Sequence, residues 1–225
     1  MIPPWLHTLA EFSLGVGIAS ALYLFARMLR HPPKMTVMGF VWPLCGLFAG
    51  PLLIWFERRW GRGEDPPWAV SVAKGTLHCG AGCTLADILA ETLALFVPAI
   101  LTVFGLGWLW QDHLFAAWTF DYVLALAIGI AFQYFAIAPM RDLGVGEGLR
   151  AAAKADVLSL TSWQIGMYGT MALAHFVVFP RIVGAPVDAG MAEFWLAMQV
   201  AMLGGFLTAL PVNHWLIKSG IKERM

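Results

Sequence analysis

Long apolar runs separated by short polar turns dominate the chain. Six runs, roughly 5–28, 36–56, 84–110, 115–139, 157–179 and 191–217, reach the ~20 residues that a helix needs to cross a bilayer core. Backbone groups in lipid must pair within their own segment, so the runs are predicted as helices and not strands. Residue types that stop helices fall between them: Pro32-Pro33, Gly61, Gly63, Pro66-Pro67, Gly144, Gly146, Gly148, Pro180, Gly184 and Pro186. Pro43, Pro51, Pro98 and Pro211 lie inside runs and are expected to kink them. Trp68 to Cys83 breaks the pattern, being too short and too polar to span. It is expected as a short interfacial or re-entrant helix before helix 3, with Trp68 and Lys74 at headgroup level. The expected fold is all-α and integral to the membrane: a six-transmembrane-helix bundle forming a single domain over residues 1–225. The N-terminus has no basic region ahead of its first run, which is therefore expected to stay as helix 1 and not to be cleaved as a signal.

Composition narrows the classes. Sixty per cent of the 225 residues are hydrophobic and 12% charged, whereas a soluble domain is about a quarter charged. Too little polar surface exists to cover a water-soluble globule, so the lipid bilayer is the expected partner. Fourteen Lys+Arg balance fourteen Asp+Glu, which leaves no electrostatic footprint for nucleic acid. Three cysteines cannot make a secreted disulfide framework. With six crossings and the N-terminus inside, ten basic residues fall inside and four outside. Both termini are therefore expected in the cytoplasm, with the chain in the inner (plasma) membrane. The first loop, with Arg27, Arg30 and Lys34, argues the other way. No Walker loop, Cys-x-x-Cys-His or Gly-x-Ser-x-Gly motif is present. Whether the chain is an enzyme stays open.

The densest chemistry is His78-Cys79-Gly80-Ala81-Gly82-Cys83. Gly80 and Gly82 would let the backbone fold back and bring two sulfurs together. Two thiolates and an imidazole suit a soft metal ion, Cu(I) or Zn, with Asp87 as a further ligand. Two other readings stay open: a redox dithiol, and glycines that serve close helix packing with the cysteines as small buried groups. These residues, with Thr84-Leu85, Asp87 and Glu91, resemble the signature of an uncharacterised prokaryotic membrane-protein family of unknown function. The resemblance extends to Asp121-Tyr122-Val123-Leu124-Ala125, Gln133 to Arg141, Lys154-Ala155-Asp156 through Tyr168, Gly205 to Thr208 and Pro211-Val212-Asn213, spanning 36–225. It implies a multi-pass membrane protein and nothing definite about activity.

Polar residues within the spans add candidates. Cys83, Asp87 and Glu91 are spaced i, i+4, i+8, so they share a helix face. Short acidic chains cannot snorkel to the surface and should face the bundle or a wet cavity. His7 and Glu11 on helix 1 are expected to meet Cys83 and Asp87 in the cytoplasmic half. Gln133, Lys154, Asp156, Gln164 and Asn213 add polar groups on that side. Met167, Met171 and His175 form an i, i+4, i+8 ladder that a soft ion would use, although core filling by Met is the stronger reading. The expected function is soft-metal binding or transport. The alternatives are membrane thiol–disulfide chemistry, or a non-catalytic subunit packing against a partner membrane protein or a second copy.

Overall fold

The computed structural model describes residues 2–33, 35–62, 66–141 and 144–224, without the side chains of 138–141. Helices build the fold of the described residues: α1 (Pro4–Arg30), α2 (Met38–Trp60), α3 (Trp68–Phe96), the single-turn α4 (Ile100–Val103), α5 (His113–Arg141), α6 (Val145–Leu173) and α7 (Ala192–Lys218). α6 runs on through a π-helical stretch, Ala174–Val183. Six of these helices are long and apolar enough to cross a membrane.

The second of them is not straight. Gly50 sits at φ 56, ψ −139, a conformation closed to residues with a Cβ, and Pro51 follows it. The Trp42 and Phe56 rings meet at a tilt with centroids 6.1 Å apart; on a straight helix fourteen residues span ~21 Å. α2 therefore folds into a hairpin with arms 38–49 and 51–60. Each arm is about 15–18 Å long, half a bilayer core. Its end returns to the end of α1, where Arg27 Nε donates to Glu57 Oε2 at 2.6 Å and Arg62 reaches the His31 carbonyl. The element that turns back on itself is thus α2.

Trp68 to Cys83, expected as an interfacial or re-entrant helix, is the first half of the continuous α3. Its polar residues Ser71, Lys74, Thr76 and His78 are all buried, so they face protein and not lipid. α3 also ends earlier than expected, at Phe96, ahead of Pro98. Gly105 and Gly107, at φ 108 and 87, turn the chain before α5.

The hairpin changes the topology. α1 runs parallel to α7: His7 Nδ1 meets Glu193 at 2.8 Å and Ser13 Oγ donates to Gln199 at 2.6 Å. The start of α1 therefore lies beside the start of α7, while the C-terminal tail lies at the opposite end of the bundle. A helix that turns back adds no net passage along the bundle, so this geometry does not supply the support for both termini on one face that six straight helices would have given.

Glycines set the helix spacing. Trp163, fully buried on α6, lies between Gly80 and Gly205; a Cβ at Gly80 would collide with its ring, and one at Gly205 would lie 2.6 Å from its Nε1. A Cβ on Gly82 would lie 3.3 Å from the Gly129 Cα of α5. α6 and α7 cross where Gly166 faces Thr208 and Gly204 faces Thr170, the small-residue contact that brings membrane helices close. The glycines of the His-Cys motif thus serve packing and not a fold-back. Gly80→Val should lower stability in detergent by about 1–3 kcal/mol through overpacking, measured by thermal unfolding. Gly15→Val, where a Cβ meets nothing within 4 Å, should leave it unchanged.

Candidate functional site

α3 is the axis of the bundle, packed against α2, α5, α6 and α7. Cys79, Cys83, Asp87 and Glu91 stand four residues apart along one of its faces, and all four are buried. They form a column about 18 Å tall. On α5 the matching stripe is Asp121, Ala125, Gly129 and Gln133, also buried and also four apart.

At the C-terminal end of the bundle, Cys79 donates its thiol hydrogen to Asp156 Oδ1 at 3.0 Å, with Ser159 Oγ at 2.9 Å. Asn213 Nδ2 donates to Ser159 at 2.6 Å. A cation completes the group. Gly220, at φ 70, turns the chain back after α7, and Ile221 and Lys222 close that turn on the Leu216 carbonyl. Lys222 thereby enters the bundle and donates to Asp156 Oδ1 and Cys79 Sγ, each at 3.0 Å. Burial works against its ammonium, but Cys79 and Asp156 outweigh burial and hold its pKa above that of an ordinary lysine. Arg224 anchors the tail beyond it on Ser71 and the Pro66 carbonyl.

In the middle of the bundle, Asp87 and Asp121 stand within hydrogen-bonding reach of each other. A bond between them requires a proton on one of the two carboxyls. Asp121 Oδ2 also accepts from Tyr168 at 2.6 Å and from Gln164 at 3.1 Å. Tyr168 is held by a parallel stack on Trp118, with centroids 4.6 Å apart. Cys83 stands between the two polar groups and feels the charges of both. At the far end Glu91, within Coulombic range of Asp121, lines a cavity of about 350 Å³ with Asp112, His113, His175 and Asp188.

The expected metal set does not assemble. A continuous helix keeps Cys79, Cys83 and Asp87 about 6 Å apart along its face and turns His78 onto the next face, where it packs on Phe132. No three His, Cys, Asp or Glu side chains converge to hold a metal ion among the described residues. His7 and Glu11 do not join Cys83 and Asp87; they sit half-exposed or more at the other end of the bundle, with His7 on Glu193. Met167 and Met171 are core, packed with Met198 and Met202, while His175 reaches the far cavity. Lys154 is exposed. Gln133 and His78 are fully buried, and neither has a hydrogen-bond partner among the described residues. Asp156, Gln164, Asn213 and Glu91 all join the column or its ends, as described above. Sequence reasoning missed Lys222 as a site residue, and Asp121 entered only through the resemblance. The four-residue stripe on α5 was the available signal for Asp121.

An all-helical bundle with six membrane-length apolar helices and a buried ionisable core defines a multi-pass membrane protein. The chain belongs to the family described as Domain of unknown function (DUF4396), which matches residues 68–222. That span holds α3 to α7 and every column residue from Cys79 to Lys222, and leaves out α1 and the α2 hairpin. Neither a curated protein nor a solved structure matches the chain.

Proposed function

We propose that the protein moves protons across the membrane, passing them along the column between Glu91 and the Cys79–Asp156–Lys222 group. The observation that carries this reading is the buried Asp87–Asp121 pair, two carboxyls close enough to share a proton midway along the bundle. Unpaired polar atoms support it. Among the described residues, His78, Asp87, Asp121, Gln133, Asp156, Gln164 and Asn213 each bury at least one oxygen or nitrogen without a hydrogen-bond partner. Leaving such atoms unpaired costs about 1–3 kcal/mol each, so a bundle that served only packing would be more stable with apolar residues there. Membrane-embedded ionisable residues mark ion and proton pathways. Purified protein in liposomes, with a pH-sensitive dye inside, should dissipate an imposed pH gradient when potassium and valinomycin clamp the voltage. Liposomes that stay as tight as empty ones would refute the reading.

Soft-metal transport has less support, because Lys222 brings an ammonium against Cys79 where a metal cation would have to sit. Thiol–disulfide chemistry has less again, since Cys79 and Cys83 are both free and fully buried thiols.

The reading includes an orientation in the inner (plasma) membrane. Among the described residues, Arg27, Arg30, Arg58, Arg59, Arg62, Lys74, Arg141, Arg150, Lys154, Lys218, Lys222 and Arg224 belong to the C-terminal end of the bundle, and Arg181 alone to the other. The positive-inside rule then favours a cytoplasmic C-terminus and an N-terminus outside. The first-loop basic residues, which oppose a six-crossing topology, agree with this one. Protease added to sealed right-side-out vesicles should remove an N-terminal tag and spare a C-terminal one. Equal protection of both tags would overturn the orientation.

A further inference from the structure

A second cavity, of about 300 Å³, lies among α1, α3, α7 and the tip of the α2 hairpin. Its wall is apolar and soft: Leu14 and Ile18 of α1, Phe48 at the hairpin tip, and Trp195, Met198 and Met202 of α7. Its polar groups are nearly all engaged. The Thr84 hydroxyl donates to the Gly80 carbonyl at 2.7 Å. The Gln199 amide donates to the Leu47 carbonyl at 2.7 Å, and its oxygen accepts from Ser13. The exception is Asp87, which is 2% exposed and whose Oδ2 has no hydrogen-bond donor among the described residues. Among the described residues no ion pair reaches Asp87: Lys222 pairs with Asp156, Arg27 with Glu57, and His7 with Glu11 and Glu193. Asp87 thus stands both in the proton column and in the wall of an apolar chamber.

We propose that this chamber binds a lipophilic monovalent cation, an aryl-substituted ammonium or phosphonium, in exchange for the proton of the Asp87–Asp121 pair. The inference rests on the proton path proposed above and names the substrate class of that site. The chemistry selects the ligand. An anion would face a carboxyl and find no free donor, and a neutral polar solute would lose its water for no partner. A cation with apolar substituents finds its counter-charge in Asp87, ring faces in Phe48 and Trp195, and adaptable thioether surface in Met198 and Met202. The exchange balances: the cation arrives, one O–H proton leaves along the column, and no other bond is made or broken.

Purified full-length protein in lipid nanodiscs, titrated with tritiated methyltriphenylphosphonium in weak buffer, tests it. The expected result is saturable binding with about one proton released per cation bound, weakening as pH falls because protons compete for the same carboxyl. Asp87→Asn should lose at least about tenfold in affinity, and Asp87→Glu should recover most of it. Phe48→Ala should weaken binding several-fold, with folding checked by thermal unfolding of each variant. Three results would overturn the proposal: wild-type binding without proton release, Asp87→Asn binding as wild type, or displacement by neutral triphenylmethane as effective as by unlabelled cation. The last would mark a chamber for lipid chains only. Liposomes that conduct protons while the nanodiscs bind no phosphonium would sink this inference alone. Binding with proton release in protein whose liposomes stay tight would sink the proton path and leave the chamber standing.

Discussion

Lys222→Met should destabilise the protein by about 3–5 kcal/mol, because it leaves Asp156 buried without its cation. Both side chains are fully buried, and the ammonium is shared between Asp156 and Cys79 at 3.0 Å each. Methionine fills similar space, so the loss would come from charge and not from a cavity. For a chain of this size that corresponds to a fall of roughly 10 °C in the unfolding midpoint, measurable by differential scanning fluorimetry in detergent. Adding Asp156→Leu to the same chain should recover most of the loss, since removing both charges leaves nothing uncompensated. If the double variant is no more stable than the single one, the pair is not what holds the tail in place. The effect should be flat from pH 5 to 9. Lys222 has its pKa raised in the folded protein, so its stabilisation is complete below the unfolded lysine value of about 10.4. It is lost only as pH rises through the higher folded value.

Asp121→Asn should reduce proton flux through liposomes by about 10²-fold or more, the scale on which a positioned acid–base group contributes. The amide oxygen still accepts from Tyr168 and Gln164, so the fold should survive. An amide cannot take and return the proton that two carboxyls exchange. Tyr168→Phe removes one donor but no titrating carboxyl, and its flux should fall less than tenfold. Equal loss in both variants would mean that the pair acts only as structure. Wild-type flux in Asp121→Asn would remove the pair from the path altogether.

Hydropathy located the apolar runs because most lipid-facing positions are apolar whatever the interior holds. It misread two of them. The α2 hairpin adds two half-length arms, which sum to one span in any window. The Gly50-Pro51 pair was the visible mark of the reversal, since glycine supplies the positive φ and proline ends the first arm's hydrogen bonding. The first half of α3 looked too polar to cross because Ser71, Lys74, Thr76 and His78 lower its average, yet all of them face the bundle. Hydropathy cannot tell a polar residue facing protein from one facing water. Asp87 and Glu91 were legible as interior groups because short carboxylates cannot reach the membrane surface. Lys222 was not. It lies past the last helix, 143 positions from Cys79, and only the turn at Gly220 carries it back.

The reversal at Gly50 also bears on how the chain is assembled in lipid. A straight second helix would strand Arg27 and Arg30 at one face of the bilayer and Arg58, Arg59 and Arg62 at the other. One of those groups would then have to be carried to the far face, against the bias that keeps Lys and Arg of short loops on one side. On the orientation proposed above, folding back keeps both groups on one face, and the Arg27–Glu57 clasp can close without any of these guanidinium groups having crossed.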